Sequence, residues 1–478
     1  MSFLEDGQQE NNSKNVLIEA VFRQLEEVSD VVRKEMITPH GMVTVIYISS
    51  LVDHLRFKEM VATPLFNRKE DVSQTAEVIK PATDTNLLAC IIEGNTLLYV
   101  HEKARYFKVY TYSPPASAIT QSDTESTVSG PRDAFTESLQ TNLSLVKRRI
   151  KNSNLKSKNY VIGTETHTNV SILYIDSIVN PEHLNRVCTK LDTLTWPGFA
   201  DITTVSQLME EHRFSPFTQY HMTERPDSTI GYLLDGRIII MMDNSPGVLI
   251  CPSTFFEFFQ SPEDDFNRWT TATLLRCLRF FGFFLTIMLT PFYISALSFH
   301  PEMLPFEVLI NLQESRSRVP FPPVIEVLFM ELVIEVLREA GTRMPTKIGQ
   351  TIGIVGGIVI GTAAVEAGLV SNTLIVLVAI SALLSFLPPS FTMSNSSRVI
   401  RYLFIISAGL FGLYGQMIAF AWLMHHLLSL KSLGEDYMAP VLPRKWSDFV
   451  DSVIRLPTPF QKYKKGVSRA VTDKKEGK

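Results

Sequence analysis

The sequence lacks the patterns that mark most soluble enzymes and metalloproteins. Its four cysteines are scattered, with no CxxC pair and no matching histidine spacing, at Cys90, Cys188, Cys251 and Cys277. We therefore expect reduced thiols and no structural metal. No GxSxG, HExxH, phosphate-binding loop or dinucleotide fingerprint is present. These absences predict a protein that is not an enzyme and uses no cofactor.

The chain also lacks an excess of basic residues and an apolar amino terminus. Its formal net charge is -4, and neither half concentrates basic residues, which argues against a nucleic-acid partner. The opening stretch, MSFLEDGQQENNSKN, is polar and acidic, unlike a signal peptide. We therefore expect the first half of the chain to stay in the cytoplasm.

What the sequence does have is a sharp division between polar and apolar parts. Residues 1–268 are mixed and charged, whereas residues 269–430 hold nearly all of the long apolar runs. Residues 431–478 are polar and basic again, as expected of a cytoplasmic tail. The predicted fold class is a two-lobed α+β cytoplasmic region followed by an α-helical polytopic membrane domain.

The charged part is predicted to form two α/β lobes. A stretch rich in Ser, Thr and Pro at 113–131 indicates a flexible loop, which separates lobe 1 (1–130) from lobe 2 (131–268). Short apolar runs on both sides of a glycine predict one β-hairpin in each lobe, at 87–100 and 230–242. Such lobes could hold a small ligand in a cleft or serve as an assembly platform.

Two further stretches of the lobes have helical periodicity. Residues 16–34 carry apolar side chains at helical spacing among charges, which predicts an amphipathic helix. Residues 133–150 predict a second helix that ends in the basic cluster Lys147, Arg148 and Arg149. We expect this cluster to be a solvated cap, since cations are favoured at a helix carboxyl end.

Four apolar runs are long enough to cross a lipid bilayer. They lie at about 274–299, 348–370, 372–391 and 399–430. A further helix at 324–340 carries Glu331, Glu335 and Arg338 on one face, which is costly in lipid unless the charges are paired or face water. We predict that this helix is interfacial or re-entrant. Its two acids either line a vestibule or belong to a helix that couples to a partner. Alternatively, they pair with Arg338 and Arg343 and only anchor the helix at the interface.

The number of crossings is constrained by two conflicting charge patterns. Four crossings place both ends of the membrane domain on the cytoplasmic side, where the basic tail belongs. A fifth crossing at 324–340 would place the tail outside, although it would explain Arg343, Lys347, Arg398 and Arg401 as inside charges. We predict four full crossings.

The run at 348–370 has two different faces. Glycines recur at every fourth position, a smooth stripe that would let another helix approach closely, at Gly349, Gly353, Gly357 and Gly361. The opposite face carries Val355, Val359, Thr362 and Glu366. If the stripes pack on adjacent subunits in a ring, the valines would form a dewetting gate and Glu366 a cation-attracting ring. Alternatively, Glu366 snorkels to the interface and the valines face lipid.

Several long blocks resemble one family, the A subunits of the GerA-type spore germinant receptors of Bacillus and its relatives. The blocks are MTERPDS (222–228), DGRIIIMMDNSPGVLICP (235–252), QSPEDDFNRW (260–269), VPFPPVIEVLFMELVIEVLREAGTRMP (319–345), GQTIGIVGGIVIGTAAVEAGLV (349–370) and DSVIRLP (451–457). The resemblance is long and ordered, and it is spread over the chain from about residue 130 to 457.

The resemblance implies a multi-pass protein of the spore inner membrane. Its expected partners are a permease-like B subunit, a lipoprotein C subunit, membrane lipid and further copies of itself. Family members sense small nutrients that act through the B subunit, and the A subunit is expected to form a pentameric ligand-gated cation channel. Two other hypotheses remain: a secondary transporter with a cytoplasmic sensor domain, although no internal repeat is visible in the apolar part, and a non-conducting scaffold.

Overall fold

The computed structural model describes most of the chain and divides it into two compact units. It describes residues 17–25, 27–39, 41–66, 76–112, 125, 127, 129–343 (of Thr342 only the backbone), 357, 359, 361–442, 449, 451–461, 464 and 466–471. The N-terminal unit comprises residues 1–211, 220–253 and 462–478, and the helical unit comprises 212–219 and 254–461.

Lobe 1 of the N-terminal unit is a five-stranded antiparallel sheet with helices. Its strands are β1 (Val31–Thr38), β2 (Gly41–Ile48), β3 (Glu77–Val78), β4 (Thr96–Val100) and β5 (Arg105–Val109), in the spatial order β1-β2-β4-β5-β3. Its helices are α1 (17–25), α2 (His54–Phe57), α3 (Thr63–Phe66) and α4 (Asp84–Ile92), with a π-helical turn at Lys58–Ala62.

Both faces of this sheet are buried. Successive side chains of a strand point to opposite faces, so Val43 and Val45 enter one apolar cluster while Ile46 and Ile48 enter another. Burial on both sides explains why β2 and β4 are continuous apolar runs rather than alternating ones.

Lobe 2 repeats the topology of lobe 1. Its strands are β6 (Leu155–Ile162), β7 (Thr168–Ile175), β8 (His221–Thr223), β9 (Ile238–Met242) and β10 (Val248–Cys251), in the order β6-β7-β9-β10-β8. Its helices are α5 (Leu139–Arg149), α6 (Pro181–Asp192), α7 (Ile202–Met209) and α8 (Pro226–Leu234). Each lobe thus contains a strand pair, a short edge strand, a helix and a second strand pair in the same order.

The two predicted hairpins are wrong in the same way. In each lobe the first arm is a helix, α4 or α8, and only the second arm is a strand. Each helix is followed by a glycine with positive φ, Gly94 at 87° and Gly236 at 85°, a conformation common after a helix end. The amino ends carry helix-start signals as well, since Thr83 caps α4 and Pro226 begins α8.

The predicted helix at 16–34 is also shorter in the structure. Its described part ends at residue 25, and β1 begins at Val31. The β-branched side chains of Val31 and Val32 fit the pleated sheet, where β1 pairs with β2. Helical spacing in the sequence therefore continued by coincidence into a strand.

A buried ion pair joins the two lobes. Lys147 Nζ donates to the carboxylate of Asp30, and both residues are 5% exposed. Burial opposes ionisation of Asp30, but attraction to Lys147 and hydrogen bonds from Lys147 and Ser50 outweigh it, so the pKa of Asp30 is lowered. Lys147 is therefore not part of a solvated cap, and Arg149 is also paired, with Asp133 at 2.6 Å.

The helical unit consists of helices of very different lengths. They are α9 (Glu263–Phe266), α10 (Trp269–Ser298), α11 (Phe306–Ser315), α12 (Pro323–Arg343), α13 (the helical residues 357, 359 and 361–366), α14 (Asn372–Leu384) and α15 (Phe391–Ser429), followed by a two-stranded sheet of β11 (Lys431–Ser432) and β12 (Glu435–Asp436). Within the described residues, α10 and α15 are long and apolar enough to cross a membrane, and α14 is a shorter apolar helix.

The predicted helix at 399–430 is two antiparallel limbs rather than one rod. Gly412 has φ 61° and ψ -138°, which breaks α15 into a first limb (391–411) and a second limb (413–429). A Cβ on Gly415 would lie 1.9 Å from Ser407 O, whereas a continuous helix would separate these residues by about 12 Å. The backbone of the second limb therefore touches the first.

Contacts at the far ends of the limbs also show that α15 folds back. Ser396 in the first limb donates to Pro216 O, and His426 in the second limb lies 2.9 Å from Ser215 Oγ. Ser215 and Pro216 are neighbours in sequence, yet a straight helix would place Ser396 and His426 about 45 Å apart.

Contacts along α10 set the direction of α14. We call the end of the helical unit at Trp269 the lower end and the end at Ser298 the upper end. Tyr293 Oη lies 3.1 Å from Ser371 Oγ, just before α14, and Ser381 Oγ donates to Thr286 O at 3.2 Å. Helix α14 therefore runs from the upper to the lower end.

Helix α12 also runs downward, and the first limb runs upward. Glu326, near the start of α12, accepts a hydrogen bond from Ser371 N at 2.6 Å, and Glu331 accepts one from Thr290 at 3.2 Å. In the first limb, a Cβ on Gly409 would lie 2.8 Å from Val324 at the upper end of α12. Since α15 turns back at Gly412, the second limb returns to the lower end.

Candidate functional site

A cluster of charged side chains lies inside the helical unit, where α12 meets the first limb. Arg401 Nη2 and Glu331 Oε2 form an ion pair of 2.9 Å, and both side chains are almost completely buried. Thr290 of α10 donates to Glu331, and Arg401 donates to Ser381 of α14 at 2.8 Å. One pair therefore connects four helical segments.

One turn lower, a second group extends this cluster. Arg398 donates to Glu335 Oε1, and Arg338 lies 4.0 Å from Glu335 Oε2. Arg338 also donates to Ser385 at 2.8 Å. We call Glu331, Glu335, Arg338, Arg398 and Arg401 together the buried charge cluster.

The sequence predicts Glu331, Glu335 and Arg338 on one face of α12, but it does not indicate Arg398 and Arg401 as their partners. Residues four apart on a helix share a face, which places Glu331 and Glu335 side by side on α12. The alternative of anchoring through Arg343 is not supported, because Arg343 pairs with Glu339 at 2.6 Å on the exposed side. Arg401, which a fifth crossing would explain as an inside charge, is fully buried.

The charges of the buried charge cluster are incompletely satisfied by hydrogen bonds. It contains three arginines and two glutamates, and Nε of both Arg398 and Arg401 is buried without a hydrogen-bond partner in the described part of the chain. Incompletely satisfied charges in a low-dielectric interior are costly, and a change of partner there has a large effect on free energy. The cluster can therefore favour one arrangement of α12 over another.

The proposed gate face of α13 is exposed on the isolated subunit. Val359 is 55% exposed, and Thr362 and Glu366 are exposed as well. Ala364, about half a turn round the helix from Thr362, is 5% exposed and packs in the same apolar cluster as Tyr293. The gate face therefore points away from the subunit's own helices. Val355 lies outside the described residues.

The glycine stripe is described only in its upper half. A Cβ on Gly357 or Gly361 would meet no described heavy atom within 4 Å. Close approach of another chain is therefore possible at these two positions without a clash inside the subunit. Gly349 and Gly353 lie outside the described residues.

Charges also tie the chain beyond α15 to the start of α10. Asp264, completely buried, pairs with Arg276 at 3.0 Å and with Arg279 at 2.8 Å. Arg276 reaches on to Asp451 at 2.9 Å. The buried acid and its two arginines thus hold a segment of the tail.

Arg455 completes this arrangement. Its guanidinium donates to the backbone oxygen of Asp264 and pairs with Asp265 at 3.0 Å. Its backbone N–H donates to Thr273 Oγ1 at 3.1 Å, and that hydroxyl donates back to Arg455 O at 3.0 Å. We call Asp264, Arg276, Arg279, Asp451 and Arg455 the tail clasp.

A small cleft lies between the two lobes of the N-terminal unit. It has an empty volume of about 300 Å³, including space open to solvent, and is lined mainly by apolar side chains such as Leu25, Ile48 and Leu155, with Lys147 at its edge. Lys147 and Asp30 are already paired with each other, which favours a structural joint over a ligand site. Among the described residues, no three His, Cys, Asp or Glu side chains group as metal ligands, and all four cysteines are unpaired.

Comparison with known proteins gives consistent matches along the chain. Residues 19–467 match the model of the Bacillus/Clostridium GerA spore germination protein family. The chain is 38% identical over 446 residues to spore germination protein GerQA of Bacillus cereus, covering 91% of this chain and 88% of that protein. It is 35% identical over 448 residues to spore germination protein A1 of Bacillus subtilis (strain 168), covering 91% and 92% respectively.

Two further matches concern the membrane and the N-terminal unit. The chain is 32% identical over 468 residues to the uncharacterized membrane protein YfkQ of Bacillus subtilis (strain 168), covering 95% of this chain and 91% of that protein. Its sequence is 26% identical to a domain of known crystal structure, the N-terminal domain of the A subunit of the Bacillus megaterium spore germinant receptor GerK3. That match covers 50% of this chain and 94% of the domain, with a TM-score of 0.37.

Proposed function

Because the chain belongs to the Bacillus/Clostridium GerA family of spore germination proteins, we propose that it is the A-type subunit of a nutrient germinant receptor and forms a cation channel. The subunit assembles as a homo-oligomer, a pentamer, in the spore inner membrane beside a permease-like B subunit and a lipoprotein C subunit. The nutrient binds through the B subunit, and this chain opens the pore rather than catalysing a reaction.

In this proposal the helical unit crosses the membrane six times. Helix α10, the segment that contains α13 and the first limb run upward, whereas α12, α14 and the second limb run downward. The fold at Gly412 supplies the extra pass, so α12 can cross while both ends of the unit stay on one side. With six crossings the basic tail and Arg343 lie on the same side of the membrane. The positive charges of both can then be cytoplasmic, which neither four nor five crossings allows.

The distribution of charge supports a cytoplasmic lower end. Arg276 and Arg279 lie near the lower end of α10, where the tail clasp also holds the tail. The segment between α10 and α12, at the upper end, carries Glu302, Glu307 and Glu314 with Arg316 and Arg318. An excess of basic residues marks the inside of a membrane protein, so the N-terminal unit and the tail are cytoplasmic.

The observation that carries the channel proposal is the exposed gate face of α13. Five copies arranged with this face toward a common axis would enclose a path lined by Val359, Thr362 and Glu366. Rings of apolar side chains close a pore by dewetting, and a ring of carboxylates favours cations. Gly357 and Gly361 would then allow each copy to approach its neighbour closely.

The buried charge cluster is proposed as the coupling element. Helix α12 immediately precedes the chain segment that leads into α13, so a change in its position is passed on to the pore. The pair Glu331–Arg401 fixes that position in the closed state. Movement of α12 that exchanges the partners of these charges would accompany opening.

The function is tested by conductance of the purified chain in liposomes, alone and with its partner subunits. Discrete cation currents that nutrient increases support the channel. Saturable flux of the nutrient itself would instead support a transporter, and membranes that remain tight under all conditions would support a scaffold.

The oligomer is tested by native mass measurement of two matched variants. Gly357→Leu should prevent assembly because its side chain would occupy the space of the neighbouring helix. Gly341→Leu is the control, since a Cβ there also meets no described atom within 4 Å but lies on α12. Normal oligomers of Gly357→Leu would contradict packing along the glycine stripe.

A further inference from the structure

The buried charge cluster divides into two halves that differ in charge. The upper half is one ion pair, Glu331 with Arg401, and is neutral. The lower half contains two arginines, Arg338 and Arg398, but a single acid, Glu335. The lower half therefore carries an excess of one positive charge. Such a charge in a low-dielectric interior is costly unless an anion compensates it.

Both arginines of the lower half have donor groups to spare. Among the residues that the structure describes, Nη1 of Arg338 and Nε of Arg398 are buried and find no hydrogen-bond acceptor. Other donors of the two guanidiniums are engaged: Arg338 donates to Ser385 at 2.8 Å, and Arg398 donates to Glu335 and Asn395. Arginine presents its donors in a planar fork that fits the oxygens of phosphate. The lower half is therefore suited to an oxyanion with one negative charge.

The lower half reaches the surface of the subunit, whereas the upper half does not. The side chain of Glu335 is 34% exposed, and those of Glu331 and Arg401 are at most 1% exposed. The apolar side chains beside the lower half are exposed as well, namely Val336, Phe386 and Val399. An anion that approaches from this side passes over an apolar surface, which suits an anion with hydrocarbon chains of its own.

Contacts with α10 place the lower half near the lower end of the helical unit. A Cβ on Gly282 would lie 2.5 Å from Leu387, which closely follows Ser385, the partner of Arg338. Arg279 of the tail clasp precedes Gly282 by about 5 Å along α10. The lower half thus lies about one helical turn above the tail clasp, where long arginine side chains can reach the headgroups of the cytoplasmic leaflet in the proposed topology.

We propose that Arg338 and Arg398 bind the phosphate of an anionic phospholipid from the cytoplasmic leaflet. The phosphodiester supplies the missing negative charge, and the acyl chains lie against the exposed apolar side chains beside the site. Basic pockets between membrane helices on the cytoplasmic side are typical sites for such headgroups. A bound lipid joins α12 to the first limb and stabilises their arrangement. This inference rests on the proposed crossing of the membrane but not on the chain being a channel.

The test measures the thermal midpoint of the full chain in phosphatidylcholine nanodiscs that contain an increasing fraction of phosphatidylglycerol. Both lipids carry a phosphate, but phosphatidylcholine compensates it with its own ammonium group. We expect the midpoint to rise and then saturate, because a ligand that binds the folded state stabilises it. In Arg398→Gln the half-saturating fraction should increase about five-fold, the contribution of one arginine to binding an anionic headgroup.

Two further variants separate a lipid site from a general effect of charge. Arg343→Gln removes the same charge from an exposed pair with Glu339 on α12 and should leave the half-saturating fraction unchanged. Glu335→Gln removes the acid that competes with the phosphate and should lower that fraction. Since Arg398→Gln and Glu335→Gln are expected to act in opposite directions, general destabilisation of the fold cannot produce both results.

Inorganic phosphate, added to the chain in phosphatidylcholine nanodiscs, distinguishes a lipid from a free anion. An equal rise of the midpoint with inorganic phosphate would overturn the lipid as the source of the phosphate. Equal half-saturating fractions in the parent, Arg398→Gln and Glu335→Gln would overturn the site. A chain that does not enter nanodiscs at all would contradict the membrane crossing, so a failure of the proposed function is distinguishable from a failure of the lipid site alone.

Discussion

Glu331 and Arg401 form an ion pair of 2.9 Å in which neither side chain is more than 1% exposed. Two full charges in so dry a place are stable only as a pair, because the loss of one leaves the other without compensation. The pair connects α12, whose carboxyl end leads toward α13, to the first limb of α15. In the proposed mechanism, a movement of α12 that opens the pore would therefore change the distance between Glu331 and Arg401.

Removing one partner of this pair should destabilise the protein more than removing both. We expect Glu331→Gln to lower the free energy of unfolding by about 3 kcal/mol, because Arg401 would remain buried and uncompensated. The double variant Glu331→Met with Arg401→Met should recover most of that loss. The measurement is the thermal midpoint of the detergent-solubilised chain, with Glu339→Gln as a control at an exposed pair. Equal effects of Glu331→Gln and the control would refute the buried pair.

The turn at Gly412 should not tolerate a side chain. Alanine there would have to adopt φ 61°, and its Cβ would lie 2.8 Å from Phe299 Cβ. Left-handed strain costs about 1–3 kcal/mol, and the contact with Phe299 adds to it. We expect a clear drop in the thermal midpoint for Gly412→Ala.

Gly341→Ala serves as the comparison for this variant. It lies in the interior of α12 with no described atom within 4 Å of an added Cβ, and alanine is the better helix former there by about 1 kcal/mol. Its midpoint should stay the same or rise. A Gly412→Ala protein as stable as Gly341→Ala would mean that α15 does not fold back.

Acid should weaken the joint between the lobes. The pKa of Asp30 is lowered below its ordinary value of 3.8 by Lys147 and by hydrogen bonds, despite the opposing effect of burial. Its contribution to stability is therefore complete above pH 3.8 and is lost as the pH falls through the lowered pKa. The Asp30→Asn variant lacks this contribution at every pH.

The measurement is the unfolding midpoint of the N-terminal unit in the full chain from pH 6 to pH 2. At pH 6 the Asp30→Asn protein should be less stable than the parent by about 3 kcal/mol, and the difference should shrink toward pH 2. Asp176→Asn, at an exposed carboxylate of lobe 2, should behave like the parent. If the difference in stability between the parent and the Asp30→Asn protein grew as the pH fell, the result would contradict a stabilising Asp30–Lys147 pair.

The number of passes can be decided at Arg343. Six passes place Arg343 on the same side as the tail, whereas four passes with an interfacial α12 place it with the loop after α10. In a chain freed of its native cysteines, Arg343→Cys should react with an impermeant thiol reagent from the side that labels Leu442→Cys. Labelling from the side of Met303→Cys would restore the four-pass topology.

The division of the chain could be seen in the sequence because it depends on composition. The lobes and the apolar part are predicted from composition averaged over long stretches, and such averages do not change when a short helix or strand is misassigned. Local structure is different: the apolar runs before Gly94 and Gly236 predict strands, whereas both are helices. Runs of that length suit either element, and the caps at Thr83 and Pro226 were the signals that decide between them.

The charge cluster and the fold of α15 could not be inferred from local patterns. Glu331 and Glu335 were recognised as costly in an apolar helix, but their partners Arg398 and Arg401 lie on another helix far along the chain. Gly412 lies within the apolar run at 399–430, which the sequence predicts as one crossing. The residues around Gly412 are apolar and lack the polar side chains that mark turns in water, so the glycine alone does not predict the fold.

The gate face of α13 is tested most directly by shortening Val359. We expect dormant spores with Val359→Ala to lose potassium without nutrient, because a smaller apolar ring no longer excludes water from the pore. Val376→Ala is the matched control, since Val376 on α14 is 57% exposed and Val359 is 55% exposed. Potassium loss in Val359→Ala spores but not in Val376→Ala spores is the expected result, and tight Val359→Ala spores with normal receptor levels would contradict a gate at this face.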